Sequence, residues 1–426
     1  MTAGLWRRAA AWVLPALLWA WPASGGRDLA AQLTRDADGM KAALVETRRH
    51  FHAHPELSNR EVETGKEIVR RLTALGYAPT AGVAGHGVVA TLQGGRPGPL
   101  VAYRADMDAL PVEEKNDLPF KSVNPGVMHA CGHDLHVTVA LGLAELFMRH
   151  RAELPGSVRF IFQPAEEGAP PGEEGGAPLM IKQGVLEGPA PVAIFGLHTQ
   201  PELEAGDVAL VPGPFMAAAD RFRITVHGKQ AHGAQPQQGV DAVYVGAQVV
   251  TALQSVVSRR NDARRPLVLT VGSFHAGSRF NILAEEAVLE GTLRTLDPDA
   301  HDQAPRDIQQ VLDGVCAAHG ARCTFANQVL APVTVNHEPL ARQLLPALER
   351  AAGPGHLKPF PRVMIAEDFG FLAERVPGFY AYLGVSNTAR GLKGTLHSPG
   401  YLADEDALVV GVRVMAAVML ARLQGG

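Results

Sequence analysis

Short apolar runs alternate with amphipathic stretches along the first half of the chain. A helix is predicted after a capping-box pattern at Ser58 to Glu61, with a stop at Gly76. Four later apolar runs have the length of buried strands, and two stretches between them have helical spacing. The strands are predicted at 87–92, 100–104, 158–162 and 192–197, and the helices at 135–150 and 178–186. This alternation favours an α/β sheet covered on both faces.

The pattern changes at about residue 218. From there the predicted order is strand, helix, strand, strand, helix, strand, which is the ferredoxin-like arrangement. The strands are expected at 220–227, 267–274, 287–295 and 322–329, and the helices at 240–260 and 303–319. After Pro332 the first pattern returns, with a helix at 339–352, a strand at 379–385 and a helix at 405–423.

These two patterns predict a compact domain inserted into a split one. The fold class is therefore α/β, with a catalytic domain in two parts, residues 27–217 and 331–426. The inserted ferredoxin-like α+β domain is predicted at 218–330, and we refer to it as the lid.

The first 26 residues have the pattern of a secretory signal peptide. Arg7 and Arg8 precede an apolar stretch at 9–21 that is too short to span a bilayer, and small residues follow at 23–25. An uncleaved anchor and an ordinary first helix are the alternatives. We predict a signal peptide at 1–26, a periplasmic or secreted mature protein, and no stable membrane insertion after cleavage.

Composition narrows the function classes. Hydrophobic residues make up 46% of the chain and charged residues 19%, which is typical of a globular protein and not of a disordered one. Lys and Arg number 39 against 43 Asp and Glu, so we expect no nucleic-acid partner, because such proteins usually carry a basic excess. Three cysteines are too few for a disulfide scaffold. Cys316 and Cys323 either form one disulfide or are small buried residues.

Several candidate metal-ligating side chains lie near the ends of predicted elements. Cys131 and His133 precede a predicted helix. Glu166, Glu167 and His198 follow predicted strands, and His397 lies in a loop rich in Gly and Pro. Sites in open α/β sheets form at the carboxyl ends of the strands. Such sulfur, nitrogen and oxygen ligands could hold one ion completely, or two ions that share ligands and keep an open position. Zinc, manganese, cobalt and nickel all accept such mixtures.

The adjacent glutamates, Glu166 and Glu167, are expected to have different roles. On an extended backbone neighbouring side chains point to opposite sides, so one would ligate a metal while the other faces substrate and water. A carboxylate beside a metal-activated water can take its proton and pass it to a leaving amine. The spacing alone does not assign the two roles.

Seven short motifs together carry a family resemblance. They are HAHPELS at 52–58, YRADMDALP at 103–111, HACGHD at 129–134, EEG at 166–168, GKQAHG at 228–233, RFNI at 279–282 and LHSP at 396–399. This set resembles the amidohydrolase branch of the aminoacylase/carboxypeptidase-like metallopeptidases. That branch includes hippurate hydrolases, N-acyl-amino-acid amidohydrolases and auxin-conjugate hydrolases. The match covers nearly all of the chain after the predicted signal.

The resemblance implies a zinc-exopeptidase-like catalytic domain with a lid that also serves in dimerisation. It implies two divalent metal ions whose identity is open among zinc, manganese, cobalt and nickel. Their ligands would be Cys131, His133, Glu167, His198 and His397. Glu166 would be the general base and acid, and Asp108 would orient a ligand. Asp106 stands where related branches carry a metal-binding histidine, and here it would be structural or would orient a ligand.

The resemblance also implies roles for three lid residues. His232 would polarise the scissile carbonyl and stabilise the oxyanion. Asn281 and Arg279 would contact the substrate carboxylate or the tetrahedral intermediate. In the family this asparagine is usually followed by Val-Ile-Pro, whereas residues 282–284 of this chain are Ile-Leu-Ala. The absence of the proline could loosen the turn. His136, three residues after His133, is expected to pack in the core.

The predicted function is metal-dependent hydrolysis of the amide bond in an N-acylated amino acid or small peptide. The lid is a candidate dimer surface, and His232 could serve its own active site or a neighbour's. The alternatives are a periplasmic dipeptidase or carboxypeptidase of the same fold, a cysteine hydrolase using Cys131, and a non-catalytic protein that binds N-acyl ligands. A cysteine hydrolase would leave the paired glutamates and His397 unexplained. A binding protein would have no need to retain the complete set of ligands.

Overall fold

The computed structural model describes residues 28–425, so the predicted signal peptide lies outside the described residues. The helices are α1 (Leu29–Asp38), α2 (Lys41–Ala53), α3 (Val62–Ala74), α4 (His133–Arg149), α5 (Gly176–Lys182), α6 (Ala242–Ser255), α7 (Pro298–Ala318), α8 (Glu338–Ala352), α9 (Phe369–Ala373) and α10 (Ala407–Leu423). Within this part of the chain no helix has the length and apolar character needed to cross a membrane.

The strands fall into three sheets. They are β1 (Thr80–Val83), β2 (Gly87–Gln93), β3 (Arg96–Asp106), β4 (Pro155–Gln163), β5 (Ile194–Glu204), β6 (Val208–Ala209), β7 (Gly213–Met216), β8 (Ala218–His227), β9 (Leu267–Ala276), β10 (Glu286–Thr295), β11 (Arg322–Ala331), β12 (Thr334–Asn336), β13 (Leu357–Lys358) and β14 (Gly378–Ser386). The largest sheet has eight strands in the order β1-β2-β4-β3-β5-β14-β6-β13. Its central strands β4, β3, β5 and β14 are parallel, so their carboxyl ends lie at one edge.

Helices cover both faces of this sheet. Helices α4 and α10 lie in the larger apolar core on one face, and α5 and α9 contribute to a smaller core on the other. Nearly all of α4 is buried, as expected for a helix that is apolar on all sides. Because α4 is enclosed in this way, the residues at its first turn are held rigidly against the carboxyl edge of the sheet.

The lid contains its own antiparallel sheet, in the order β11-β8-β10-β9. Helices α6 and α7 pack with these strands around a separate apolar core. The order of elements and of strands is that of a ferredoxin-like unit. Cys316 at the end of α7 and Cys323 in β11 form a disulfide across Cα atoms 6.0 Å apart, which decides between the two alternatives for this pair.

Two local predictions are wrong. Ser58 does not cap α3, whose N-cap residue is Glu61 without a side-chain cap bond. Ser58 Oγ instead donates a hydrogen bond to Asp108 Oδ2 at 2.7 Å. The strand predicted to end at residue 197 continues to Glu204, because β5 keeps pairing with β14 beyond its apolar run.

Gly132, the residue before α4, adopts a left-handed conformation with φ of 92°. A Cβ atom there would overlap Thr199 Oγ1 and lie 2.8 Å from Tyr401 Oη. We expect Gly132→Ala to lower the free energy of unfolding by about 3 kcal/mol, through backbone strain and overpacking together. Urea denaturation of the chelator-treated protein measures this loss.

Gly391→Ala is the matched control. Gly391 also has a positive φ, of 71°, but a Cβ atom there would meet nothing within 4 Å. The control should therefore lose only about 1 kcal/mol. An equal loss in both variants would show that the contacts with Thr199 and Tyr401 carry no penalty.

Candidate active site

The predicted metal ligands meet at the carboxyl edge of the large sheet. The Cys131 Sγ atom lies 3.4 Å from His198 Nε2 and 3.3 Å from His397 Nε2. His397 Nε2 is 3.1 Å from Glu167 Oε1. These residues come from the approach to α4, from β5, from the loop after β4 and from the loop before α10. The fold thus assembles one site from four distant parts of the sequence.

The ligand atoms form overlapping groups with the spacing of metal sites. In each group the atoms lie within 4.8 Å of one another. Three groups consist of predicted site residues only: Cys131 with His133 and His198, Cys131 with Glu167 and His397, and His133 with Glu166 and Glu167; two further groups are Asp106 with His133 and His136, and Glu166 with Glu367 and Asp368. Cys131 belongs to the first two of these groups and therefore links them.

The two glutamates lie on a turn, not on an extended backbone as the sequence analysis assumed. Ala165 before them has a φ of 56°, which turns the chain sharply at the end of β4. As a result both carboxylates approach His133 Nε2, at 3.8 Å for Glu166 and 4.0 Å for Glu167. Glu167 also contacts His397, whereas Glu166 Oε1 lies 3.4 Å from the backbone N–H of Asp368.

Hydrogen bonds to Asp108 fix the orientation of His133 and Glu167. The backbone carbonyl of Asp108 accepts a hydrogen bond from His133 Nδ1 at 2.8 Å, which directs Nε2 into the site. Its Oδ2 accepts from Ser58 Oγ at 2.7 Å and from the backbone N–H of Glu167 at 3.0 Å. Burial disfavours the carboxylate, but the bonds from His133, Ser58 and Glu167 outweigh it and lower the pKa of Asp108.

The donor atoms fit divalent metal ions. His133 Nε2 is fully buried and has no hydrogen-bond partner among the described residues. Burial disfavours its charged form, yet the carboxylates of Asp106 and Asp108 raise the pKa of His133 to about 10, so this ring carries a proton at pH 7 that a bound divalent ion would have to displace. Burial and the neighbouring His136 lower the pKa of His198 to about 4, so this ring is a neutral ligand at pH 7. Nitrogen, oxygen and sulfur donors in this mixture suit zinc and other transition metals.

Comparisons with known proteins agree with this site. Residues 102–421 match the model of "Peptidase family M20/M25/M40". The chain is 44% identical to an N-acyl-L-amino acid amidohydrolase of Geobacillus stearothermophilus, over 69% of this chain and 78% of that protein. It is 37% identical to thermostable carboxypeptidase 2 of Saccharolobus solfataricus, over 92% and 98% of the two chains.

The fold is also similar to a solved structure. That structure is the Bacillus subtilis YXEP protein, described as a dinuclear metal-binding peptidase from the M20 family, with a TM-score of 0.78 and 34% identity. The alignment covers 91% of this chain and 99% of that one. The chain belongs to peptidase family M20/M25/M40. The predicted resemblance, α/β fold class, hydrolase activity and metal requirement are thereby confirmed.

The floor of this M20 site is a buried guanidinium that the sequence analysis did not single out. Arg104 is completely buried and contacts Asp106 at 2.7 Å, Asp368 at 2.6 Å and Glu367 at 3.0 Å. Asp368 in turn receives two hydrogen bonds at 2.8 Å from Gln163 Nε2. The sequence signal for this floor was weak, because the acidic pair at 367–368 follows no predicted strand.

Asp106 and His136 form a closed pair beside the site. His136 Nδ1 lies 2.6 Å from Asp106 Oδ1, and His136 Nε2 accepts a hydrogen bond from the backbone N–H of Thr199 at 3.0 Å. Both ring nitrogens are therefore occupied by protein partners. His136 has a polar role and does not simply pack in the core, which corrects the expectation for this residue.

The three predicted lid residues lie apart from the metal ligands of their own chain. The metal ligands open onto a cleft of about 1330 Å³ between the lid and the large sheet, and none of His232, Arg279 and Asn281 lines it. His232 and Asn281 lie close together. His232 pairs with Ile282 in an isolated β-bridge, and the backbone N–H of Gly233 donates a hydrogen bond to the backbone carbonyl of Asn281. The assigned roles of these three residues stay predictions.

Asp108→Asn should weaken metal binding without unfolding the protein. The amide carries no negative charge to balance the metal ions. With its carbonyl oxygen kept on Ser58 and Glu167, its NH2 group replaces the carboxylate oxygen that lies 3.3 Å from His133 Nδ1. We expect metal affinity to fall by about 10- to 100-fold, as for other partners of metal ligands. Competition with a chelator of known affinity measures this, and Asp299→Asn on the surface of α7 is the control. Unchanged affinity in Asp108→Asn would remove Asp108 from the metal site.

Proposed function

We propose that this M20 protein hydrolyses the amide bond of N-acylated amino acids, using two divalent metal ions. One observation carries the proposal: two candidate ligand groups share Cys131 and lie beside a pair of glutamates at the base of a large cleft. The similarity to an N-acyl-L-amino acid amidohydrolase supports this substrate class. Cys131, His133, Glu167, His198 and His397 would hold the ions.

Bound divalent ions would lower the pKa of a water molecule and polarise the substrate carbonyl. The protein holds its own groups in place for the remaining steps. Glu167 is directed toward His397 and Cys131, which suits a ligand, while Glu166 is directed toward the backbone N–H of Asp368. Glu166 lines the cleft, where it can meet both the water and the leaving amine.

Glu166 is suited to accept and return a proton. Burial, and then the nearby carboxylates of Glu367 and Glu167, raise the pKa of Glu166 well above its usual value. A carboxyl group tuned in this direction can hold the proton taken from water until the amine leaves. Cys131 does not suit the cysteine-hydrolase alternative, because burial and then the adjacent glutamates raise the pKa of its thiol well above the ordinary value.

A peptidase activity is the second candidate. The match to thermostable carboxypeptidase 2 covers nearly all of both chains, and a peptide bond is an amide that the same site could hydrolyse. The two candidates share the metal ions and Glu166 and differ only in what occupies the cleft. A panel of substrates that contains both N-acyl amino acids and dipeptides separates them.

Export to the periplasm or secretion remains part of the proposal. It rests on the sequence pattern at 1–26, where two arginines precede an apolar stretch and small residues. We propose that the enzyme acts outside the cytoplasm on a small-molecule substrate. The disulfide between Cys316 and Cys323 suits an oxidising compartment.

We further propose a homodimer through the lid, in which His232 and Asn281 serve the partner's cleft. Apolar side chains are exposed on α6 and on the edge strand β9, namely Val243, Tyr244, Val268 and Phe274. Exposed apolar surface at a sheet edge is suited to association. An exchange of lid residues between subunits would explain why His232 lies outside the cleft of its own chain.

The first test is release of free amino acid from a panel of N-acyl amino acids and dipeptides. We expect turnover with manganese or zinc and none after chelation. Glu166→Gln should bind both metal ions and lose turnover by about 100-fold or more. Glu173→Gln, another glutamate that lines the cleft, is the matched control and should keep its rate. A Glu166→Gln enzyme with wild-type turnover would refute the assigned mechanism.

The dimer is tested by co-expression of Glu166→Gln and His232→Ala chains. Each variant alone should be nearly inactive. Random pairing gives heterodimers that contain one intact site if His232 serves the partner, so roughly a quarter of the wild-type rate should return. No recovery, with mixed dimers verified by affinity tags, would show that His232 serves its own chain.

A further inference from the structure

A short segment before α3 packs against the turn that carries the paired glutamates. We call residues 58–61 the bracket. Asn59 of the bracket donates a hydrogen bond from Nδ2 to the backbone carbonyl of Glu174, on the chain after this turn, at 3.0 Å. Glu61 reaches the turn itself, because its Oε1 atom accepts a hydrogen bond from the backbone N–H of Ala165 at 2.8 Å. The bracket thus contacts the turn and the chain that follows it, although the two segments are about 100 positions apart.

The side chain of Glu61 is directed toward the site and not toward its own helix. Glu61 is the N-cap residue of α3, yet its side chain makes no cap bond there. It is completely buried, and its Oε2 atom has no hydrogen-bond partner among the described residues. Burial and then the carboxylate of Asp108 raise the pKa of Glu61 to about 7, against the effect of the backbone N–H groups that it meets. The neutral form is therefore well populated at pH 7, and a neutral glutamine is a close substitute.

Ala165 has a backbone conformation that alanine rarely adopts. Its φ of 56° lies in the left-handed region, which is unfavourable for a residue with a Cβ atom. Four non-glycine residues of the described chain have a positive φ, and they are Asn59, Ala84, Ala165 and His397. Three of these belong to the bracket, to the turn and to the metal ligands, so backbone strain is concentrated at the site. A strained turn persists only where contacts hold it, and the hydrogen bond to Glu61 is such a contact.

The turn is held at two neighbouring points. The backbone N–H of Ala165 donates to Glu61 at 2.8 Å, and the backbone N–H of Glu167 donates to Asp108 at 3.0 Å. Glu166 lies between these two points. Loss of the bond at Ala165 would free one side of Glu166 and allow its carboxylate to move relative to the metal ligands. A displacement of about 1 Å is enough to slow an enzyme by roughly 100-fold.

We propose that Glu61 is a positioning residue, which keeps Glu166 in place by accepting the N–H of Ala165. Glu61 does not line the cleft, so it acts through the turn and not by contact with the substrate. The proposal rests on the proposed function, in which Glu166 accepts and returns the proton. It extends the catalytic arrangement to a buried residue outside the cleft.

The first experiment compares three substitutions of Glu61 that separate volume from hydrogen bonding. Glu61→Gln keeps an oxygen acceptor, Glu61→Met has a similar volume without one, and Glu61→Asp keeps the carboxyl group but shortens its reach. With metal content verified, we expect kcat on the best N-acyl amino acid to fall by about 10- to 100-fold in Glu61→Met and Glu61→Asp, and by less than about threefold in Glu61→Gln. KM should change by less than about threefold, because the cleft lining stays the same. If Glu61→Met does not fold, Glu61→Asp provides the comparison.

Hydrogen exchange tests the bond independently of activity. Exchange is followed by mass spectrometry in a peptide of the metal-free protein that spans residues 160–168. The amide of Ala165 should exchange about tenfold faster or more in Glu61→Met than in the wild type, because its acceptor is absent. Glu61→Gln should keep the wild-type protection.

A second substitution links the loss of activity to backbone strain. Glycine adopts a φ of 56° without the penalty that alanine carries. In an Ala165→Gly background the turn depends less on Glu61, so the loss of kcat caused by Glu61→Met should shrink by about tenfold. Equal losses in the two backgrounds would overturn the role of Glu61 in holding this turn.

Gln183→Met is the matched control. Gln183 Oε1 accepts a hydrogen bond from the backbone N–H of Ala84 at 2.7 Å, and Ala84 has a φ of 52°. The same kind of bond therefore holds the same alanine conformation, but neither residue lines the cleft. This variant should lose exchange protection at Ala84 and keep the wild-type kcat and KM.

The outcomes separate this proposal from the proposed function. A metal-loaded wild-type protein that hydrolyses no N-acyl amino acid and no dipeptide would refute the proposed function, whereas unchanged exchange at Ala165 in Glu61→Met would overturn the hold on the turn. Wild-type kcat in Glu61→Met and Glu61→Asp would overturn the positioning role. A loss in Glu61→Gln as large as in Glu61→Met would overturn it too, since an acceptor is then not sufficient. An equal loss of kcat in Gln183→Met would assign the effect to general destabilisation.

Discussion

The structure depends on balancing a concentrated, buried negative charge. Arg104 neutralises part of it by contacting three carboxylates at the floor of the site. One guanidinium is not enough: it lowers the pKa of Glu367 against the effect of burial, whereas burial raises the pKa of Asp368 to about 7. The two glutamates above this floor add further carboxyl groups, and burial together with the carboxylates of Glu367 and Glu167 raises the pKa of Glu166. Buried carboxylates are unfavourable without positive charge nearby. Bound divalent metal ions would provide the positive charge that Arg104 alone does not.

Hydrogen bonds of Asp108 link the site to the surrounding fold. Asp108 connects the segment before α3, through Ser58, with the turn after β4, through Glu167. Its carbonyl also fixes the ring of His133 at the start of α4. The orientations of His133 and Glu167 thus both depend on Asp108, which is itself held by Ser58, so the geometry of these ligands follows from the packing of distant segments. Gly132 completes this link, because a Cβ atom at this position would overlap Thr199 and Tyr401.

The lid lines part of the cleft onto which the metal ligands open. The metal ligands belong to the large sheet and its loops, but Arg294, Val329 and Leu330 come from the lid. Exposed apolar side chains of α6 and β9 lie on the lid outside this cleft.

The sequence by itself determined the element types, the ferredoxin-like order of the lid and the identity of the candidate metal ligands. These features are local or periodic: apolar spacing records burial, and Cys, His and Glu with such motifs have few other uses. Tertiary structure decided what depends on distant partners. It placed Ser58 on Asp108 instead of at a helix cap, extended β5 along β14, joined Cys316 to Cys323, and put Arg104 beneath the acidic pair at 367–368. Such contacts join residues up to hundreds of positions apart, and their energies come from burial and charge in the folded state, which no local pattern records.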